Sequence, residues 1–387
     1  MLTPRISFKN FESNKKKTLL IKKKLLALVT DKNEIIKSLS KDYKNNFSHK
    51  ILKKFKNSLE YRVIGMGGSS LGAHAIYDFL KKKIKKKFIF VDNLNAFEDK
   101  KVKKSFNNLI ISKSGNTIET IVNANILIKK KDKNLFITEK KKSYLSLLAK
   151  KLKAEVVDHN NYIGGRYSVL SEVGMLPAEL MGLNHQKFRQ LNNLVKNKFF
   201  MKALVSNVES TIYFLKAKKF NSIIINYDEQ SINLFNWYQQ LVAESLGKEK
   251  KGILPIVSVM PKDNHSVMQL YLDGFKNNFF TFFYSKETNS VKINNESVLL
   301  EQKFLKNKNI DQIMYAQKKA TEIVFKNKNI PFRSFEISKR DEKTLGELFC
   351  FFILETILIS KALKINPFDQ PAVELLKKET KKILIYK

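Results

Sequence analysis

Cysteine is almost absent from this chain of 387 residues: Cys350 stands alone inside the apolar run 348–354. A single thiol excludes an intrachain disulfide framework and a thiolate metal site, and its neighbours predict a small core residue. Arginine is nearly as scarce, with six among 72 basic residues. Long hydrophobic runs are missing too. Residues 1–17 lack the roughly 7 to 15 successive apolar residues of a signal peptide, and the stretch around Phe349 is broken by Glu355. These absences predict a soluble protein of the cytoplasm with no membrane partner. Neither a P-loop nor a GxGxxG fingerprint occurs, which argues against nucleotide binding.

What the chain does have is lysine, which carries the formal net charge to +36. The lysines come in short runs along the whole length, such as Lys15 to Lys17, Lys22 to Lys24, Lys81 to Lys83 and Lys85 to Lys87. No arginine-rich arm or aromatic-interleaved motif accompanies them, so they read as solvated helix faces and no specific nucleic-acid partner is expected. A hydrophobic content of 43%, with 29 phenylalanines, supports a filled interior. The length suits two domains of roughly 150 residues with extensions.

Hydrophobic periodicity predicts an amphipathic helix over 17–40, then strand, turn and helix in repetition. Strands are expected at 62–66, 87–91, 109–112, 135–138 and 155–158, with a helix over 71–83. A second alternation gives strands at 222–226, 253–259, 279–284 and 332–337, and helices at 230–246, 264–272, 311–326 and 342–363. The expected fold is α/β, with two doubly wound parallel sheets and helical N- and C-terminal extensions. The domains run 1–50 (helical extension), 51–188, 189–365 and 366–387 (tail). Ligands in such sheets sit at the carboxyl ends of the strands.

Polar turns occupy those ends. Gly67-Gly68-Ser69-Ser70 follows one strand, and Ser112-Lys113-Ser114-Gly115-Asn116-Thr117 follows another and opens a helix. Hydroxyls, an amine and free helix-start amides can hold a phosphate without a metal. The bland alternative is a plain capping box between Asn116 and Glu119. In Gly164-Gly165-Arg166-Tyr167-Ser168 two glycines precede a rare guanidinium, whose planar fork suits an anion. On the 230–246 helix Trp237, Gln240, Leu241 and Glu244 share a face, so Glu244 is either a partly desolvated proton acceptor or an ordinary solvated helix-end glutamate. His265, in Asp263-Asn264-His265-Ser266, is expected at a helix N-terminus, suited to shuttle a proton.

Together with Glu244-Ser245-Leu246-Gly247-Lys248 and Phe368-Asp369-Gln370-Pro371, these motifs occur in an order that resembles the glucose-6-phosphate isomerase family, built from two sugar-isomerase (SIS) domains. The resemblance runs from about Val63 to Lys377. It implies interconversion of glucose 6-phosphate and fructose 6-phosphate, with Glu244 moving the proton and Arg166 steadying the enediolate. It implies ring opening by His265 with Lys377, phosphate held by Gly68, Ser69, Ser112, Ser114 and Thr117 with Lys113 close by, and Gln240 lining the site. It further implies a homodimer in which His265 crosses the interface, and no metal or organic cofactor. Ala372 and Leu376 stand where the family usually has glycine, which leaves Lys378 as a rival to Lys377, and Asn264 stands where glutamine is common. The alternatives are a two-domain isomerase that also accepts mannose 6-phosphate and a non-catalytic sugar-phosphate sensor. The Gly-Gly-Arg-Tyr-Ser and Glu-Ser-Leu-Gly-Lys segments weigh against the former, and the presence of Glu244, His265 and Arg166 against the latter.

Overall fold

The computed structural model describes residues 1–12, 19–95, 105–286 and 289–385. The Lys15 to Lys17 run and the start of the helix expected over 17–40 lie outside the described residues. The chain opens with strand β1 (Ile6–Lys9) and helices α1 (Leu19–Val29), α2 (Glu34–Ser38) and α3 (His49–Phe55). The first alternation follows: β2 (Glu60–Gly65), α4 (Leu71–Phe79), β3 (Lys87–Val91), β4 (Asn107–Ile111), α5 (Ile118–Leu127), β5 (Lys133–Thr138), α6 (Tyr144–Lys151) and β6 (Glu155–Asp158). Helices α7 (Glu172–Leu180), α8 (Leu191–Leu194) and α9 (Lys198–Lys216) lead to the second. It comprises β7 (Asn221–Asn226), α10 (Ile232–Leu246), β8 (Leu254–Val259), α11 (Met268–Asp273), β9 (Asn278–Ser285), α12 (Ile310–Asn327), β10 (Phe332–Ile337) and α13 (Glu342–Leu363). Helix α14 (Pro371–Ile385) closes the described chain.

Two five-stranded sheets result. The first has the order β3-β2-β4-β5-β6, parallel throughout. The second has the order β1-β10-β9-β7-β8 and is parallel except for β1, which runs antiparallel to β10 with Ile6 opposite Ile337. The N-terminal extension is therefore not purely helical as expected, and residues 6–9 belong to the second sheet. An alternation of four residues is too short to stand out in a sequence. What secures β1 is tertiary: Ile6 is fully buried, and the Phe8 ring packs on Phe335 with centroids 4.6 Å apart.

Strand side chains alternate between faces, and each face has its own core. Tyr61, Val63, Leu109 and Ile111 of the first sheet and Ile224, Phe283 and Phe335 of the second face one continuous apolar cluster. That cluster includes α4, α10 and the long helix α13, which is buried from Leu345 to Ser360 and mostly apolar there, as a central helix must be. Ile64, Ile110 and Phe136 face outward onto α5 and α6, and Ile225, Phe280 and Phe282 onto α11 and α12. Among the described residues no helix is long and apolar enough to cross a membrane.

Local chemistry corrects several expected boundaries. The 17–40 helix is two helices, because the Asn33 side chain caps the Ile36 amide and starts α2 afresh. The helix over 71–83 stops at Phe79, with Lys81–Lys83 forming a separate 3₁₀ turn. The segment expected as a helix over 264–272 is a 3₁₀ turn, Lys262–His265, followed by the short α11.

Candidate active site

In the first sheet the chain steps from β2 outward to β3 and then back across to β4, so strand order reverses between β2 and β4. A crevice opens at such a reversal, beyond the carboxyl ends of the strands. Both polar turns lie there. Gly67–Ser69 forms a 3₁₀ turn after β2 with Gly67 at φ +53°, a left-handed conformation that favours glycine. After β4 the Ser112 hydroxyl lies 2.9 Å from that of Thr117, and Ser114 Oγ accepts from the Asn116 amide at 3.2 Å. The Asn116–Glu119 capping box does not form: Thr117 is the N-cap of α5 without a side-chain capping bond, and Asn116 Oδ1 instead accepts from the Tyr144 amide. The start of α5 thus points uncapped backbone amides and the positive end of its dipole into the crevice.

Arg166 is brought to this crevice by glycine. A Cβ on Gly68 would overlap the Gly165 carbonyl and fall 2.7 Å from the Arg166 amide nitrogen, so the two backbones touch as only a side-chain-free residue permits. The guanidinium is almost wholly buried. Nε donates to Ser245 Oγ at 3.0 Å, Nη1 to Glu244 Oε2 at 3.1 Å and to Gln370 Oε1 at 2.9 Å, and Nη2 to the carbonyls of Asp369 at 2.9 Å and of Pro367. One arginine therefore joins the first domain, helix α10 and the tail. The Lys248 ammonium adds to the clamp, donating to Asp369 Oδ1 at 2.6 Å, and the Tyr167 hydroxyl lies 2.7 Å from Ser245 Oγ. Ser245, Lys248, Asp369 and Gln370 had no assigned role, although each falls in a motif noted above; nothing in their spacing says that one guanidinium collects them.

Glu244 lies between the two readings considered above, neither fully desolvated nor freely solvated. Trp237 and Leu241 are buried, but Glu244, on the last turn of α10, is 28% exposed in its side chain. Its two oxygens are taken up separately, Oε1 by Gln240 Nε2 at 2.9 Å and Oε2 by Arg166. Gln240 also borders the first polar turn, since a Cβ on Gly67 would lie 2.7 Å from its Nε2. Base candidate, guanidinium and first polar turn are contiguous. Lys113 joins them: its ammonium donates to Asn161 O at 2.7 Å, and burial pushes it below the ordinary lysine range, opposed by Glu139.

Two expected residues stand apart. His265 is exposed at the end of its 3₁₀ turn, three residues before α11 begins, so the expected helix N-terminus is not built around it. Asp263 shapes that turn by accepting from the Val259 amide at 2.7 Å. Lys377 lies on α14, of which no residue is buried, and pairs with Glu374 at 2.6 Å; Lys378 follows it on the same exposed helix. Among the described residues no hydrogen bond or ion pair joins His265, Lys377 or Lys378 to Arg166 or Glu244. His265 follows the edge strand β8, and Lys377 and Lys378 project from the exposed helix α14.

The sequence matches the family described as phosphoglucose isomerase over residues 12–386. The chain belongs to that family. It is 33% identical over 355 residues to a glucose-6-phosphate isomerase of Methanocaldococcus jannaschii, covering 84% of this chain and 85% of the other. Among solved structures it resembles a Thermus thermophilus protein at a TM-score of 0.80 and 21% identity, covering 95% of this chain and 94% of that one. It also resembles a glucose-6-phosphate isomerase of Chlamydia trachomatis at 0.70 and 18%, covering 98% and 80%. These structural likenesses concern the fold. They agree with the doubly wound α/β architecture.

Proposed function

We propose that the chain interconverts glucose 6-phosphate and fructose 6-phosphate through a cis-enediolate, with Glu244 carrying the proton between C2 and C1. The observation that carries this reading is the Glu244–Arg166 contact of 3.1 Å, beside a glutamine that touches the phosphate turn. An isomerase of this kind must anchor an anion, remove a proton α to a carbonyl and hold the charge that appears on oxygen. Gly68, Ser69, Ser112, Ser114 and Thr117, with Lys113 and the start of α5, anchor the phosphate. The open-chain sugar then extends past Gln240 to the Glu244 carboxylate, which takes the proton from one carbon and returns it to the next. Arg166 faces the developing oxyanion. Its five N–H donors are all engaged, so it acts through its charge, and through Nη1 once the Gln370 side chain gives way.

Ring opening belongs to His265 of a second copy, assisted by Lys377. Both are exposed and so open to a second copy, and in this reading the working form is a homodimer. The place of such an enzyme is the cytoplasm, with its sugar phosphates.

The test is formation of glucose 6-phosphate from fructose 6-phosphate, coupled to a dehydrogenase, for the wild type and Glu244→Gln. Turnover should fall by about two to four decades in the variant while sugar phosphate still binds; retained turnover would assign the base elsewhere. Mixed dimers of Glu244→Gln and His265→Ala chains should regain activity through one intact site. No recovery would place each complete site within one chain.

A further inference from the structure

Lys113 is held by more than the phosphate turn. Its ammonium lies 3.6 Å from Glu139 Oε1, and the backbone keeps the two residues together: the Glu139 amide donates to the Lys113 carbonyl at 3.1 Å, and Thr138 Oγ1 donates to the same carbonyl at 3.4 Å. Glu139 directly follows β5 and is only 9% exposed, a costly place for an unpaired carboxylate. Its other oxygen is taken by the Lys141 ammonium. From the end of β6 comes His159, buried, with Nδ1 2.9 Å from Asn160 O. Arg166 completes the set of charged and titratable groups facing Lys113: Glu139, Lys141, His159 and Arg166.

We infer that Glu139 is a positioning residue for the reaction: it holds Lys113 ionised beside the phosphate turn and yields it to the substrate's phosphate. This rests on the reading of Ser112 to Thr117 as the phosphate cradle. A half-buried lysine that also feels Lys141 and Arg166 is disfavoured as a cation, and a carboxylate is what offsets that. At 3.6 Å the pair is looser than a hydrogen bond, so the ammonium, with three donors and one given to Asn161, keeps capacity for an incoming anion. His159 adds no further positive charge, because burial holds its imidazole at about 4, neutral at working pH.

The experiment measures KM and kcat for fructose 6-phosphate from pH 6.5 to 9.5 in Glu139→Gln, Lys113→Met, Lys141→Met and the Glu139→Gln/Lys113→Met double variant. Glu139→Gln should raise KM about three- to tenfold near pH 9 and less near pH 7, exceeding any fall in kcat, since each unit of lost pKa is tenfold in ionised lysine above it. Lys141→Met, at a half-exposed side chain, should move the alkaline rise in KM to higher pH. In the Lys113→Met background Glu139→Gln should add nothing. A wild-type KM–pH profile in Glu139→Gln, with KM raised in Lys113→Met, overturns the positioning role alone. An unchanged KM in Lys113→Met overturns the phosphate cradle itself. Should Glu139→Gln fail to fold, Lys141→Met decides, and an unmoved profile there overturns the inference.

Discussion

Gly68 and Gly165 meet backbone to backbone, and this contact sets the first polar turn beside Arg166. The contact is one-sided. A Cβ on Gly68 would overlap the Gly165 carbonyl, whereas a Cβ on Gly165 would meet Gly68 Cα at 3.6 Å, an ordinary contact. Gly68→Ala should therefore cost about 2–3 kcal/mol and at least two decades of kcat/KM, in line with overpacking at a fixed backbone. Gly165→Ala should stay within about 1 kcal/mol. Thermal unfolding and steady-state kinetics of the two variants check this, and equal damage would refute the asymmetry.

Arg166→Lys keeps the charge and loses the fork. A single ammonium cannot reproduce five bonds to Ser245, Glu244, Gln370, Pro367 and Asp369. The expected outcome is a fall in kcat/KM of about two to three decades, together with faster proteolytic cleavage around residues 366–370 as the tail loosens. Wild-type cleavage with lost activity would reduce Arg166 to its chemical role.

Stability should fall on the acid side because of His159. Its folded-state value of about 4 lies below the ordinary value of about 6.5, so between these pH values the unfolded chain takes up a proton that the folded one refuses. The protein should lose on the order of 3 kcal/mol as pH drops from about 6.5 to about 4, and nothing further from this group below that. Urea unfolding of His159→Gln should show a flatter curve across the window; an unchanged slope would assign the loss to other groups.

In the central core, Arg333 and Glu355 form a salt bridge with both side chains 2% exposed. Arg333 also donates to Thr281 Oγ1 at 2.9 Å and to Asn207 Oδ1 at 2.8 Å. Glu355→Gln leaves a buried guanidinium without its counter-ion and should cost about 3–5 kcal/mol, while Arg333→Met with Glu355→Leu should cost much less. Denaturant midpoints of the single and double variants test this, and additive costs would argue against coupling.

The alternation of strands and helices is legible in the sequence because the strands are buried runs of Ile, Val, Leu and Phe bounded by polar turns. The β3, β6 and β10 spans fall where apolar pattern and turn chemistry agree. Arg166 stands out through rarity and two preceding glycines. What failed was read from local pattern alone: Asn116 looks like a cap but bonds Tyr144, and His265 looks like the opening of a helix but ends a 3₁₀ turn.

The sequence by itself determined the two doubly wound sheets and the polar turns at their carboxyl ends, because hydrophobic period and turn chemistry are local properties of the chain. Only the tertiary structure decided that β1 joins the second sheet, that Glu244 rests half-open between Gln240 and Arg166, that Glu139 stands behind Lys113, and that one guanidinium ties segments about 80 and 200 residues away in sequence. Those contacts depend on which surfaces meet once helices and sheets pack, and no periodicity along the chain encodes them.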